Sequence, residues 1–201
     1  SKYFDYLIWL NVYYVNKKNQ SRRIKGKAII VSNHKRLFDF TLLMYLFLGR
    51  DIYTIIGEQM YRKNKLFSWF LNKIGGIKVE RDLYDFSFLG KSIELLNKGK
   101  VIEIFPEGRL PLPEEKDLLP FKPSFVYLAL ETGAPIIPIY TNGCYAQKER
   151  ARVVIGEQID VQALYNDALT EKENIDYICN YVASYIKDLG KIINEKQKEK
   201  E

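Results

Sequence analysis

The chain has 201 residues, 47% hydrophobic and 28% charged, enough for one domain with a proper core. Cys144 and Cys179 lie far apart and His34 is the single histidine, which excludes a zinc site built from those ligands and argues against a disulfide framework. The net charge of +6 is concentrated in Lys17, Lys18, Arg22, Arg23, Lys25 and Lys27, six cations with no acid among them.

In chain order, Tyr3 to Val15 is aromatic and apolar and reads as an amphipathic helix. It is too short to span a bilayer and lacks the basic n-region and small-residue cleavage site of a signal peptide. With the polybasic segment behind it, the helix suits the interface of an anionic membrane. A helix packed on the core, followed by a solvated linker, fits equally well. The aromatics are segregated from the cations rather than interleaved with them, which argues against nucleic acid.

Lys27–Val31 is a short, apolar, β-branched run and predicts a buried strand. Leu37 to Leu48 is apolar nearly all round and predicts a buried helix. A strand follows at Asp51–Gly57, then a helix at Glu58–Ile74 that ends on Gly75-Gly76. Ile77–Val79 is a short strand, Ser87–Asn97 an amphipathic helix, and Lys100–Phe105 another strand. After a loop from Leu110 to Pro120 come a helix at Lys122–Thr132 and strands at Ile136–Tyr140 and Arg152–Ile155. The apolar spacing from Asn174 to Ile193 marks a last amphipathic helix, and the tail from Glu195 reads as solvated. This alternation predicts an α/β protein with a mixed, largely parallel central sheet flanked by helices, preceded by the N-terminal aromatic helix. The expected divisions are an interface helix and basic linker over residues 1–27, a main domain over 28–195, and a tail over 196–201.

Three turns fall at strand C-terminal ends: Asn33-His34, Glu80-Arg81 and Pro106-Glu107-Gly108-Arg109. Ligands gather at that edge of open α/β sheets. Asp39, in or near the first helical turn, can reach back to one ring nitrogen of His34, leaving the other to face a substrate. On their own these residues fit a capped turn better, with Asn33 as the cap and Asp39 complementing the helix dipole. Arg81, Arg109 and Lys122 would gather cations around Glu107, a set suited to a phosphate-bearing ligand with a hydroxyl near the histidine. Glu107 itself would meet a substrate hydroxyl, loop amides or a neighbouring Arg; a structural Arg81–Glu107 pair is the plainer alternative.

Together these stretches resemble the lysophospholipid (1-acylglycerol-3-phosphate) acyltransferase family, marked by four sequence blocks. Asn33, His34 and Asp39 match its Asn-His-x4-Asp block, and Gly76 to Arg81 matches its glycine-led strand ending in Arg. Phe105-Pro106-Glu107-Gly108 matches the third block, and Ala134 to Ile139 the Pro-containing apolar strand. Pro120-Phe121-Lys122-Pro123-Ser124 resembles the family's Phe-Lys-x-Gly segment, with Ser in the Gly place. Two departures touch acceptor recognition: Arg36 stands where the family has Ser, and Glu107-Gly108-Arg109 moves the cation one place.

The resemblance implies transfer of a fatty acyl group from an acyl carrier protein or coenzyme A thioester to a lysophospholipid hydroxyl. It implies His34 as general base, Asp39 as its orienting partner, and no metal or other cofactor. Arg81, Glu107, Gly108, Arg109, Arg36, Asn33 and Lys122 would bind substrate, with 1-acyl-glycerol-3-phosphate as the acceptor, at the cytoplasmic face of a membrane. A glycolipid or amino-lipid acceptor is the alternative, as is a non-catalytic lipid-binding protein that keeps the fold.

Overall fold

Among the described residues, segments rich in Val, Ile and Tyr form a seven-stranded sheet: β1 (Leu10–Tyr14), β2 (Ala28–Ser32), β3 (Ile52–Gly57), β4 (Gly76–Val79), β5 (Val101–Ile104), β6 (Ile136–Thr141) and β7 (Ala151–Ile155). The helices are α1 (Asp39–Leu46), α2 (Glu58–Arg62), α3 (Lys65–Lys73), α4 (Ser87–Asn97), α5 (Ser124–Thr132) and α6 (Glu171–Lys198). The structure is a computed structural model and describes residues 10–16, 22–62, 64–80, 87–115, 118–145 and 150–198. Among the described residues, no helix is long and apolar enough to cross a membrane.

The strand order is β1-β7-β6-β2-β5-β3-β4, parallel throughout except where β6 meets β7. All five residues of β2 are buried, as a parallel strand covered on both faces requires. One face packs α4, α5 and α6 through Leu96, Phe125, Leu128, Ile178 and Val182. The other packs α1 through Leu42, Leu43, Leu46 and Phe47. The helix after β2 therefore lies on one face, and the helix after the neighbouring β5 lies on the other. Loops that diverge like this open a crevice at the strand ends, and the His34 turn and the Pro106 turn border it.

The expected mixed, largely parallel sheet is present, but four elements differ in detail. Most of the segment read as an N-terminal helix lies outside the described residues, and its end, Leu10–Tyr14, is a strand parallel to β7. Leu10, Val12 and Tyr14 pack toward α1 while Tyr13 packs toward α6, an alternation of two rather than a helical stripe. Among the described residues the sheet thus includes Leu10–Tyr14, within the stretch expected to hold an interface helix and linker. The single helix expected over Glu58–Ile74 is two, because the Asn64 side chain accepts from the backbone N–H of Leu66 at 2.8 Å and caps a new start. The helix expected to begin at Lys122 starts at Ser124, after Pro123. The last helix runs from Glu171 to Lys198, into the segment read as a solvated tail.

Candidate active site

His34 lies two residues beyond β2, with its ring stacked on Phe105 at 4.6 Å between centroids and 28° between planes. Its Nδ1 is 3.0 Å from Oδ2 of Asp39, the first residue of α1. The same oxygen accepts from the backbone N–H of Lys35 at 2.7 Å and of Arg36 at 2.8 Å. Two amides and a helix N-terminus hold that oxygen as an acceptor, so the ring proton belongs on Nδ1 and Nε2 keeps its lone pair. Asp39 is fully buried while the His34 side chain is 17% exposed, leaving the imidazole the reachable member of the pair.

The turn is braced from both sides. Asn33 is buried; its Nδ2 donates to the Thr141 carbonyl at 2.9 Å and its Oδ1 accepts from the Thr141 N–H at 2.8 Å. This amide clamp ties the end of β2 to the end of β6, so Asn33 does not cap α1. Glu107 is buried as well. Its Oε1 accepts from the His34 N–H at 2.6 Å and its Oε2 from the Leu119 N–H at 2.9 Å. Burial pushes its carboxyl up, against the pull of those two amides. Of the partners open to it from the sequence, Glu107 takes the loop amides. Both residues set the position of the His34 turn through these bonds.

His34 borders a cavity of about 790 Å3, within the roughly 300–1,000 Å3 typical of small-molecule sites. Its walls are largely apolar, including Leu37 and Phe40 from the α1 region, Met60, Phe88 and Ile104. Gly108, Arg109 and Lys122 add a polar border. Gly108 has φ +71°, and a Cβ there would come within 3.2 Å of the Lys122 side chain, so glycine lets the lysine stem lie across the turn. Arg109 grips Glu115 through two bonds of 2.6 Å, and this pairing with the Leu112 amide holds the Glu115 carboxyl down at about 2. Arg36 is exposed and does not line the cavity. Arg81 lies outside the described residues. Of the expected cations, then, the structure brings Lys122 and Arg109 to the cavity and leaves Arg36 away from it.

Three features escaped the sequence reading. Phe105 is the platform beneath the imidazole. The Tyr145 hydroxyl accepts from the Phe38 N–H at 3.0 Å, and burial together with the nearby Asp39 carboxylate pushes its phenol well up. Tyr145 follows β6 in a loop with no pattern to flag it. Glu103, fully buried in β5, accepts from the Thr54 hydroxyl at 2.5 Å. Burial raises its carboxyl well above the usual range, and the Asp39 charge pushes the same way. An acid inside the run Val101-Ile102-Glu103-Ile104 was the visible signal.

The architecture is that of an α/β protein whose diverging strand-end loops set an imidazole–carboxylate pair at an apolar cavity. The family model for acyltransferases matches residues 11–142, and the chain belongs to that family. It is 25% identical over 139 residues to a 1-acyl-sn-glycerol-3-phosphate acyltransferase of Saccharomyces cerevisiae, covering 68% of this chain and 44% of the relative. A chloroplastic 1-acyl-sn-glycerol-3-phosphate acyltransferase of Brassica napus is 30% identical over 120 residues, 58% of this chain and 33% of the relative. The chain thus spans between a third and a half of the length of these two relatives. Its fold is similar to the crystal structure of the 1-acyl-sn-glycerophosphate acyltransferase of Thermotoga maritima, with a TM-score of 0.63 and 24% identity over 94% of this chain and 76% of that one.

Proposed function

We propose that the protein moves a fatty acyl group from an acyl carrier protein or coenzyme A thioester to the free hydroxyl of 1-acyl-glycerol-3-phosphate. The observation that carries this reading is the His34–Asp39 pair opening onto an apolar cavity bordered by Lys122 and Arg109. The names of the two curated relatives point the same way. The site is proposed to work at the cytoplasmic face of a membrane, on a peripheral or monotopic protein.

In the proposed step, Nε2 of His34 removes the proton of the acceptor hydroxyl as the oxygen attacks the thioester carbonyl. Asp39 stabilises the imidazolium that forms. The tetrahedral intermediate collapses by breaking the carbon–sulfur bond, and the imidazolium returns its proton to the departing thiolate. Products are the new oxygen ester and the free thiol. The fatty chain lies along the apolar walls, and the phosphate meets Lys122 and Arg109, whose planar fork matches phosphate oxygens. The Glu115 carboxylate already occupies one N–H on each terminal nitrogen of Arg109, so a phosphate would share the guanidinium with it or displace it.

The Glu115 carboxylate on Arg109, which offsets its charge, favours one second reading, an acceptor without a phosphate, such as a glycolipid or amino lipid. A panel separates the two: labelled acyl thioesters offered with 1-acyl-glycerol-3-phosphate and with phosphate-free lysolipids and glycolipids. The proposal expects transfer to the phosphorylated acceptor, and a KM for it that rises in Arg109→Ala and Lys122→Ala. Equal use of charged and neutral acceptors, unaffected by either substitution, refutes the phosphate site.

A further inference from the structure

Helix α3 carries an apolar face wider than the core covers. Leu71 is buried and Phe67 and Ile74 are half-buried against the core beside Phe40 and Ile56. Leu66, Trp69 and Phe70 continue the same broad face beyond the core and are 71%, 58% and 39% exposed. Their spacing of three and four residues sets them side by side on the helix surface. Exposing a Leu, a Trp and a Phe on nine residues has no benefit in water, and such a patch marks a surface that meets something apolar.

The charge around the stripe says what it meets. Helix α3 holds no acid, and the exposed Lys65 and Lys73 stand at its two ends. The Lys73 ammonium lies 5.9 Å from the centre of the Trp69 ring. Leu, Trp and Phe on one face with lysines at its margins is the composition of a helix lying in the headgroup region of an anionic bilayer. A Trp is at home there, with its ring in the apolar margin and its N–H in the wet one.

The stripe also continues to the site. Phe67 of α3 stacks on Phe70 at 6.1 Å and meets the edge of Phe38 at 6.5 Å. Phe38 is 44% exposed and stands between Leu37, which lines the cavity, and Asp39. Met60 of α2, the helix before α3, also lines the cavity.

We infer that α3 is a membrane-docking element that sinks Leu66, Trp69 and Phe70 into an anionic lipid leaflet, placing the cavity against the bilayer surface. An acceptor lipid then reaches His34 along Phe38 without its acyl chain crossing water. The inference rests on the proposed lipid substrate for its purpose, but its evidence is the surface of α3 and its readout is binding.

Trp69 is the probe. The only other tryptophan is Trp9, so Trp9→Phe makes Trp69 the sole indole emitter. Vesicles of phosphatidylcholine and phosphatidylglycerol, with and without brominated acyl chains, are titrated into this variant. The inference expects a blue-shifted Trp69 emission that brominated chains quench, and no such change with phosphatidylcholine alone. In the otherwise unaltered chain, Leu66→Ser and Phe70→Ser should each weaken vesicle flotation on the order of tenfold, the worth of burying one such side chain. Turnover on a micelle-free, short-chain acceptor should stay unchanged in both. Flotation with unquenched, unshifted Trp69 overturns the inference, because another segment is then doing the binding. So does sedimentation of a dimer whose Trp69 is shielded without lipid. Quenched Trp69 in a protein that transfers no acyl group would instead sink the proposed chemistry and leave the docking surface standing.

Discussion

Asp39→Asn separates the charge of the pair from its geometry. The amide oxygen must take the place of Oδ2, because the Lys35 and Arg36 N–H groups point there and would oppose an NH2. In that orientation His34 still donates from Nδ1, so the tautomer survives and the loss is electrostatic. At 3.0 Å, two unit charges in an effective dielectric of about 20 interact by roughly 5–6 kcal/mol. The imidazole is 17% exposed and its charge is only partly formed in the transition state, so about half of this acts on the barrier. A loss of ~3 kcal/mol is roughly a hundredfold in kcat. Folding should lose no more than about 1–3 kcal/mol, the cost of the new NH2 in the buried place of Oδ1, which has no hydrogen-bond partner among the described residues. Single-turnover acyl transfer, read beside a thermal melt, checks both halves. A variant within about threefold of wild-type kcat, an effect below 1 kcal/mol on the barrier, would refute the reasoning.

Glu103 is raised by burial, so the folded state holds its proton at pH values where the unfolded chain has released it. Stability from this residue is therefore lost as pH climbs from the ordinary glutamate value of 4.5 toward the raised folded value. Glu103→Gln should melt no lower than wild type at neutral pH and should flatten the fall of Tm with pH above 4.5; a lower Tm with an unchanged slope contradicts this. Asn33→Ala removes both bonds to the Thr141 backbone and leaves a buried N–H and C=O unpaired, costing about 2–4 kcal/mol. Denaturant unfolding checks it, and a loss under about 1 kcal/mol would mean the clamp holds nothing.

What the sequence made legible follows the range of the forces involved. The β2 strand, the His34 turn and Asp39 lie within a dozen residues, and short apolar runs and turn chemistry report local structure well. Leu10–Tyr14 was misread because its partner, β7, lies more than a hundred residues on, and an edge strand with aromatic residues looks like a short amphipathic helix. The backbone partners of Asn33 and Glu107, Thr141 and Leu119, are announced by no side-chain pattern. The Arg109–Glu115 pair closes within an irregular loop, where charge spacing has no period to read. Glu103 stood out as an acid in an apolar strand, but its partner Thr54 emerges only from the register of β3 against β5.

The central claim is that His34 takes the acceptor proton in acyl transfer to 1-acyl-glycerol-3-phosphate. It is tested most directly by mixing a labelled acyl thioester and that acceptor with wild-type protein and with His34→Ala, and counting label in the diacyl product. Product is expected from wild type and background alone from His34→Ala, whose circular dichroism and Tm match wild type. Comparable product from both proteins would contradict it.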